Sequence, residues 1–187
     1  MSYKLPETLE VNGTEYAIRT DYRAVLRVLE AMSDPDLEDS EKILIAFKII
    51  YEDFEELPVS DYEEAFEQIM WFINNGECDD KPYTSKTRLI DFVQDEKILI
   101  PAVNRVAGCE IRRLEYLHWW TFLGYYMEVG ECTFSTVMNI RSKKAKGKKL
   151  EKWEEEFFSA NKELVILKTR ESKAEREEKE RLNAMLG

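Results

Sequence analysis

The side chain best equipped for chemistry is His118, the one histidine in the chain. An imidazole titrates near neutral pH and can serve as base, acid or metal ligand. A single histidine makes no two-imidazole zinc site and no HExxH, and a catalytic role would need a nucleophile and an orienting acid brought to it by the fold. Its surroundings, Leu117-His118-Trp119-Trp120, point instead to a packed or half-exposed histidine on an aromatic helix. Cys78, Cys109 and Cys132 are odd in number and far apart, which fits neither a disulfide framework nor a CxxC pair and accords with a reducing cytoplasm. Glu52-Asp53, Glu55-Glu56 and Asp79-Asp80 could act as acid–base or metal carboxylates, but among 38 acids such neighbours are expected from composition, and solvation explains them. The sequence holds no GxxxxGK(S/T), GxGxxG or GxSxG. No catalytic residue, metal or cofactor is therefore expected, and the chain reads as one that works by binding.

Three features could bind. The run Arg141-Ser142-Lys143-Lys144-Ala145-Lys146-Gly147-Lys148-Lys149 could touch phosphates, yet it is short and lacks interleaved aromatics, so a solvated linker or a strap across the chain's own acids is the simpler reading. Leu182, Met185 and Leu186 stand at i, i+3 and i+4 on an otherwise charged segment; they are either a fraying end or a small docking stripe for a partner helix. The aromatic cluster around Trp119 and Trp120 is better suited to core than to a ligand pocket.

The elements that must position these residues are mostly helices. Thr8 to Ile18 predicts a hairpin: Asn12-Gly13 suits a two-residue type I′ turn, Val11 then faces Thr14, Leu9 faces Tyr16, and Leu9, Val11, Tyr16 and Ile18 share one face. Such a hairpin needs cover from helices or from a second copy of the protein. Thr20 or Asp21 can cap a helix bearing Tyr22, Val25, Leu26 and Leu29 on one face. A second helix is predicted over about Leu37 to Phe54, and a third from Ser60, with a capping-box spacing, to Asn75-Gly76. Glu77 to Thr87 reads as an exposed loop. A helix over Asp91 to Ala107 should kink or restart at Pro101, and Arg112 to Val129 should form a central helix buried on several sides. From about Leu150 a last long helix carries Leu150, Trp153, Phe157, Leu164 and Leu167, its stripe fading after Thr169.

Composition sets the frame. The 187 residues, 44% hydrophobic, suffice for one core, and only 7 Gly and 5 Pro disfavour a many-stranded fold. The fold class expected is mainly α with an N-terminal β-hairpin. Its organisation is expected to be a helical domain over 1–140, a basic connector over 141–149, and a C-terminal helix over 150–187 packed in part on that domain. No apolar run is long enough to span a membrane, and Met1 to Glu10 lacks the pattern of a secretion signal. The net charge of −11 argues against general nucleic-acid binding, although it is uneven: residues 1 to 140 hold 13 Lys and Arg against 28 Asp and Glu, residues 141 to 187 hold 14 against 10.

Asp91-Phe92, Asp95 and Ile98, then Leu117-His118-Trp119-Trp120 and Phe122, then Phe134, Met138 and Arg141 resemble the pattern of a small phage family. It is the gp-fifteen-type family of tailed phages and prophages of Gram-positive bacteria. The LHWW run is the specific part, and the resemblance spans roughly Glu7 to Leu167. This chain departs from the pattern at Val103 and at Ala107-Gly108-Cys109-Glu110-Ile111, where the family carries an aromatic and a Tyr-Gly-Ile-Asp-Leu-like run. Genes of the family typically precede that of the tape-measure protein, the position of tail assembly chaperones in long-tailed phages. The resemblance thus implies a siphophage chaperone in the host bacterial cytoplasm that binds the tape-measure protein and helps tail-tube subunits assemble around it. The other reading is a structural virion protein, such as a head-to-tail connector or tail component.

Overall fold

Asn12 and Gly13 both take positive φ, 48° and 79°, as a type I′ turn requires, and join β1 (Thr8–Val11) to β2 (Thr14–Ala17) in an antiparallel pair. Val11 faces Thr14 and Leu9 faces Tyr16, and Leu9, Val11 and Ile18 are buried, as the alternation predicts. The structure, a computed structural model, describes residues 4–77, 88–168 and 172–186. Cys78, Asp79-Asp80, Thr169 and all of the expected Glu77 to Thr87 loop except Glu77 lie outside them. The chain divides into two units: one comprises Glu7–Arg19, Arg23–Ile69 and Lys168–Gly187, the other Met1–Pro6, Thr20–Tyr22 and Met70–Leu167.

In the first unit the hairpin is extended by a bridge between Ile18 and Tyr51, with Arg19 N–H donating to the Ile50 carbonyl (2.8 Å) and Glu52 N–H to that of Ala17 (3.0 Å). Most of α1 (Tyr22–Met32) lies here, with Val25 and Val28 fully buried and Leu26 and Leu29 only half so. Next comes α2 (Asp39–Ile50), which opens with a reciprocal Glu38/Glu41 capping box. The helix predicted as far as Phe54 stops at Ile50, because Tyr51 turns extended to pair with Ile18, and Phe54 falls in a separate 3-10 turn, Phe54–Glu56. The Arg19 guanidinium donates to the carbonyls of Lys48, Ile49 and Tyr51 at 2.9 to 3.1 Å, supplying donors that a helix end otherwise lacks. A 3-10 turn, Val59–Asp61, precedes α3 (Tyr62–Ile73), so the helix starts two residues after Ser60; its residues from Met70 on belong to the second unit. It ends as expected at Asn75 and Gly76, both at positive φ, with Gly76 N–H returning to the Trp71 carbonyl.

The second unit holds the other helices up to Leu167. The predicted helix from Asp91 starts five residues later as α4 (Glu96–Ala107) and runs through Pro101 without restarting; Gly108, at φ 70°, closes it. The expected central helix from Arg112 is a 3-10 turn, Ile111–Arg113, then extended chain, then α5 (Trp119–Met127). Extension has a cause: Thr20–Tyr22 lies antiparallel to it, with Tyr22 N–H on the Leu117 carbonyl and Trp119 N–H on that of Thr20. Within α5 Trp119 and Phe122 are buried, Trp120, Leu123 and Tyr126 half-buried, and Gly124 and Met127 exposed, so the helix is covered over much of its circumference but not all of it.

Arg141 to Ala145 belong to α6 (Thr133–Ala145), so the basic run begins inside a helix. The stretch from Leu150 is divided, into α7 (Lys152–Ala160), α8 (Lys162–Val165) and, in the first unit, α9 (Lys173–Leu186). Asn161, at φ −127° and ψ 38°, separates the first two. Val137, Ile140 and Val165 centre a small core against which Ile98, Met138, Leu150, Phe157 and Leu164 pack. Trp153, assigned to the apolar stripe, is exposed, and Glu154 beside it is buried.

Candidate functional site

Two consecutive tryptophans close the end of α3. Trp119 Nε1 donates to the Ile73 carbonyl (3.0 Å) and Trp120 Nε1 to that of Phe72 (2.8 Å), satisfying acceptors that the last helical turn leaves open. The Trp120 ring also lies over Phe72 and edge-on to Trp71, and a side chain at Gly76 would meet it at 3.3 Å. Between Leu117 and Trp119, His118 is the N-cap of α5: its Nδ1 accepts from Trp120 N–H at 3.0 Å. Since Nδ1 accepts, Nε2 carries the proton and donates to the Pro6 carbonyl at 3.0 Å. Leu117, His118 and Trp119 are buried and Trp120 half-buried. Each polar side-chain atom of the motif thus has a structural task, which makes the run a knot between three chain segments rather than a binding surface.

The second constellation escaped the sequence reading. Arg141, assigned to the connector, is buried and places all five N–H groups: Nε on the Val165 carbonyl (2.7 Å), Nη1 on those of Leu89 (2.8 Å) and Asp95 Oδ2 (2.6 Å), Nη2 on Asp95 Oδ1 and the Leu164 carbonyl, both at 2.8 Å. Asp95 Oδ2 also accepts from Asp91 N–H, and Asp91 in turn accepts from Val93 and Gln94 N–H and pairs with Arg88. Three residues of the phage-like pattern, Asp91, Asp95 and Arg141, therefore meet in one network that fixes the start of α4 to α6 and to the end of α8. A signal was present: Phe134, Val137 and Arg141 stand at i, i+3 and i+7, so the arginine occupies an apolar face.

Nearby, Glu154 accepts from Lys143 Nζ on both oxygens (2.7 Å), from Asn139 Nδ2 (2.9 Å) and from Glu151 N–H (2.8 Å). The Lys143 ammonium, then the Glu151 amide, hold this carboxyl below the usual range. With Lys144 resting 3.6 Å over the Phe158 ring, the front of the basic run straps the chain to itself, while Lys146, Lys148 and Lys149 stay exposed.

Exposed apolar surface in the hairpin unit includes a helix stripe and a groove. Leu182 and Met185 project from α9, which Leu186 ends. Between α2 and α3 lies a groove of about 650 Å³. Ser40, Ile43, Leu44 and Phe47 of α2 line one side and Tyr62, Glu63, Phe66 and Glu67 of α3 the other, with Phe47 fully buried and the two glutamates exposed. Among the described residues no cluster of His, Cys, Asp and Glu could hold a metal ion, and no helix is long and apolar enough to cross a membrane.

The family model described as Bacteriophage Gp15 protein matches residues 1–167. The chain belongs to that family. No curated protein and no solved structure matches it. The Gp15 match encloses the tryptophan knot, the Asp95–Arg141 network and the α2–α3 groove, and leaves α9 outside. Membership makes this a bacteriophage protein and suggests a place among the structural, head–tail components.

Proposed function

We propose that the chain is a tail assembly chaperone that acts in the host bacterial cytoplasm by binding the tape-measure protein, without a catalytic step. The observation that carries this reading is the Gp15 match over residues 1–167, joined to the role that the resemblance implies for such proteins. Two physical features support it. A net charge of −11 keeps a complex with a long, sticky chain in solution. The groove and the α9 stripe leave apolar surface uncovered, as a protein that meets its partner only transiently would. Tail-tube subunits are further partners in this reading, and self-association is compatible with it.

Two measurements test the proposal. Mass spectrometry of purified virions should find tape measure and tube protein but not this chain, although it is present in infected cells; many copies per virion would replace the chaperone with a head-to-tail connector or tail component. Co-expression with the tape-measure protein of the same phage should raise the soluble yield of that protein and co-purify with it.

A further inference from the structure

The groove between α2 and α3 differs from the other uncovered surfaces in having both shape and charge. Its walls are helical rows: Ser40, Ile43, Leu44 and Phe47 follow i, i+3, i+4, i+7 on α2, and Tyr62 and Phe66 stand one turn apart on α3. Seven residues of rise make the trough about 10 Å long, two helical turns. That length accepts apolar side chains at i, i+3 or i+4, and i+7 of a third helix, the standard way a helix enters a groove.

Charge then selects among helices. Glu63 and Glu67 line the α3 wall, Glu38, Asp39 and Glu41 stand at the start of α2, and Lys42 of the same helix is engaged by Asp39 at 3.7 Å. Over Glu7–Arg19 and Arg23–Ile69 the unit holds 5 Lys and Arg against 17 Asp and Glu, a net −12 that accounts for the whole negative charge of the chain. A second copy would bring the same −12 to the contact, and its α9, with 4 basic and 4 acidic residues, offers no compensating charge. Nucleic acid and anionic lipid are repelled in the same way. We propose that this groove is a docking site for an amphipathic helix of a partner protein, with an apolar stripe at three- and four-residue steps flanked by Lys and Arg. The inference rests on the groove and stands apart from the chaperone reading, though a tape-measure segment of that pattern would unite the two.

The test uses the full chain and two fluorescein-labelled 14-residue helical peptides with the same leucine stripe, one with lysine and one with glutamate at its polar positions. Fluorescence anisotropy should show micromolar binding of the lysine peptide, at least tenfold tighter than the glutamate peptide and weakening with salt. Leu44→Asp, at a wall position 40% exposed, should weaken it at least tenfold, and Glu63→Lys with Glu67→Lys at least fivefold, each with an unchanged melting temperature. Met185→Asp, on α9, should change nothing. Undiminished binding by the Leu44 variant would mean that the peptide sits elsewhere on the acidic surface and would overturn the proposal, as would equal or absent binding of both peptides. A dimer in sedimentation that Leu44→Asp converts to monomer would overturn it in favour of a second copy. Peptide binding without any tape-measure recovery would remove the chaperone reading alone, and the converse would remove the groove alone.

Discussion

Arg141 grips both carboxylate oxygens of Asp95, at 2.6 and 2.8 Å, with both side chains almost wholly withdrawn from water. A bidentate pair in such a setting offsets a large desolvation cost only while both partners and their carbonyl contacts remain. Removing one partner leaves a buried charge without its counterpart. Arg141→Met and Asp95→Leu should each cost about 3 to 5 kcal/mol in urea unfolding, and the double variant should be more stable than either single one. A double variant as weak as the sum of the singles would show that the two charges act independently.

Trp119 and Trp120 are chemically alike but differently buried, and their substitution should separate them. Trp119→Ala empties a fully buried site and frees the Ile73 carbonyl, for an expected loss of about 3 to 5 kcal/mol. Trp120→Ala, half-exposed, should cost less. His118→Ala removes the cap of α5, at about 0.5 to 2 kcal/mol, and His118→Asn should recover part of it because an amide oxygen can accept from Trp120 N–H. Thermal melts of the four variants give the order directly.

How far the sequence disclosed this arrangement depended on where each structural cause lies. The hairpin was legible because its cause is local: Asn12-Gly13 admits one turn type, and the alternation of Leu9 and Val11 does the rest. The end of α2 was not, since it is set by Ile18 and Arg19, more than 30 residues away in the chain, for Tyr51 and Glu52. The same holds for α5, whose start is displaced by Thr20–Tyr22. Beyond Leu150 the apolar spacing through Trp153 does not set the buried face: Lys143 and Asn139 provide three hydrogen bonds for a carboxylate, so Glu154 goes inside and Trp153 stays exposed. The candidate site was legible only in part, because the knot could be picked out by composition whereas a groove between α2 and α3 arises from packing.

Gly13→Val tests the turn. A β-branched residue at φ 79° is strained although no atom crowds the position, so the cost should be about 1 kcal/mol or more and come from backbone conformation alone. Gly13→Asn, which tolerates that region, should lose much less. Equal melting temperatures for the two would refute the assignment.

Acid should unfold the protein through identifiable groups. Arg112 holds Glu110 down from its ordinary 4.5 to about 2, and Lys143 lowers Glu154. Both folded values lie below the unfolded ones, so their stabilisation is complete above about pH 4.5 and is lost as pH falls, for Glu110 by about 2. The thermal midpoint should therefore drop between pH 5 and 2.5, and Lys143→Gln should make that drop shallower by removing the main cause of the Glu154 shift.

The C-terminal helix should prove dispensable for folding. Most side chains of α9 are exposed, including those of Leu182 and Met185, and the helix lies beyond the Gp15 match. Its start is held by Lys173 N–H on Asp36 Oδ1 and by a Ser172/Glu175 capping exchange, both on the surface. Exposed contacts of this kind contribute about 0.3 to 1 kcal/mol each, and an isolated helix of 14 residues is marginal in water. A chain ending at Thr169 should thus melt within a few degrees of the parent and keep its binding to the lysine peptide. Co-expression with the tape-measure protein then asks whether the Leu182–Met185 stripe contributes to docking: reduced recovery with the shortened chain would assign part of the partner surface to α9, and equal recovery would confine it to residues 1–169. A large fall in melting temperature would instead show that α9 is part of the folded core.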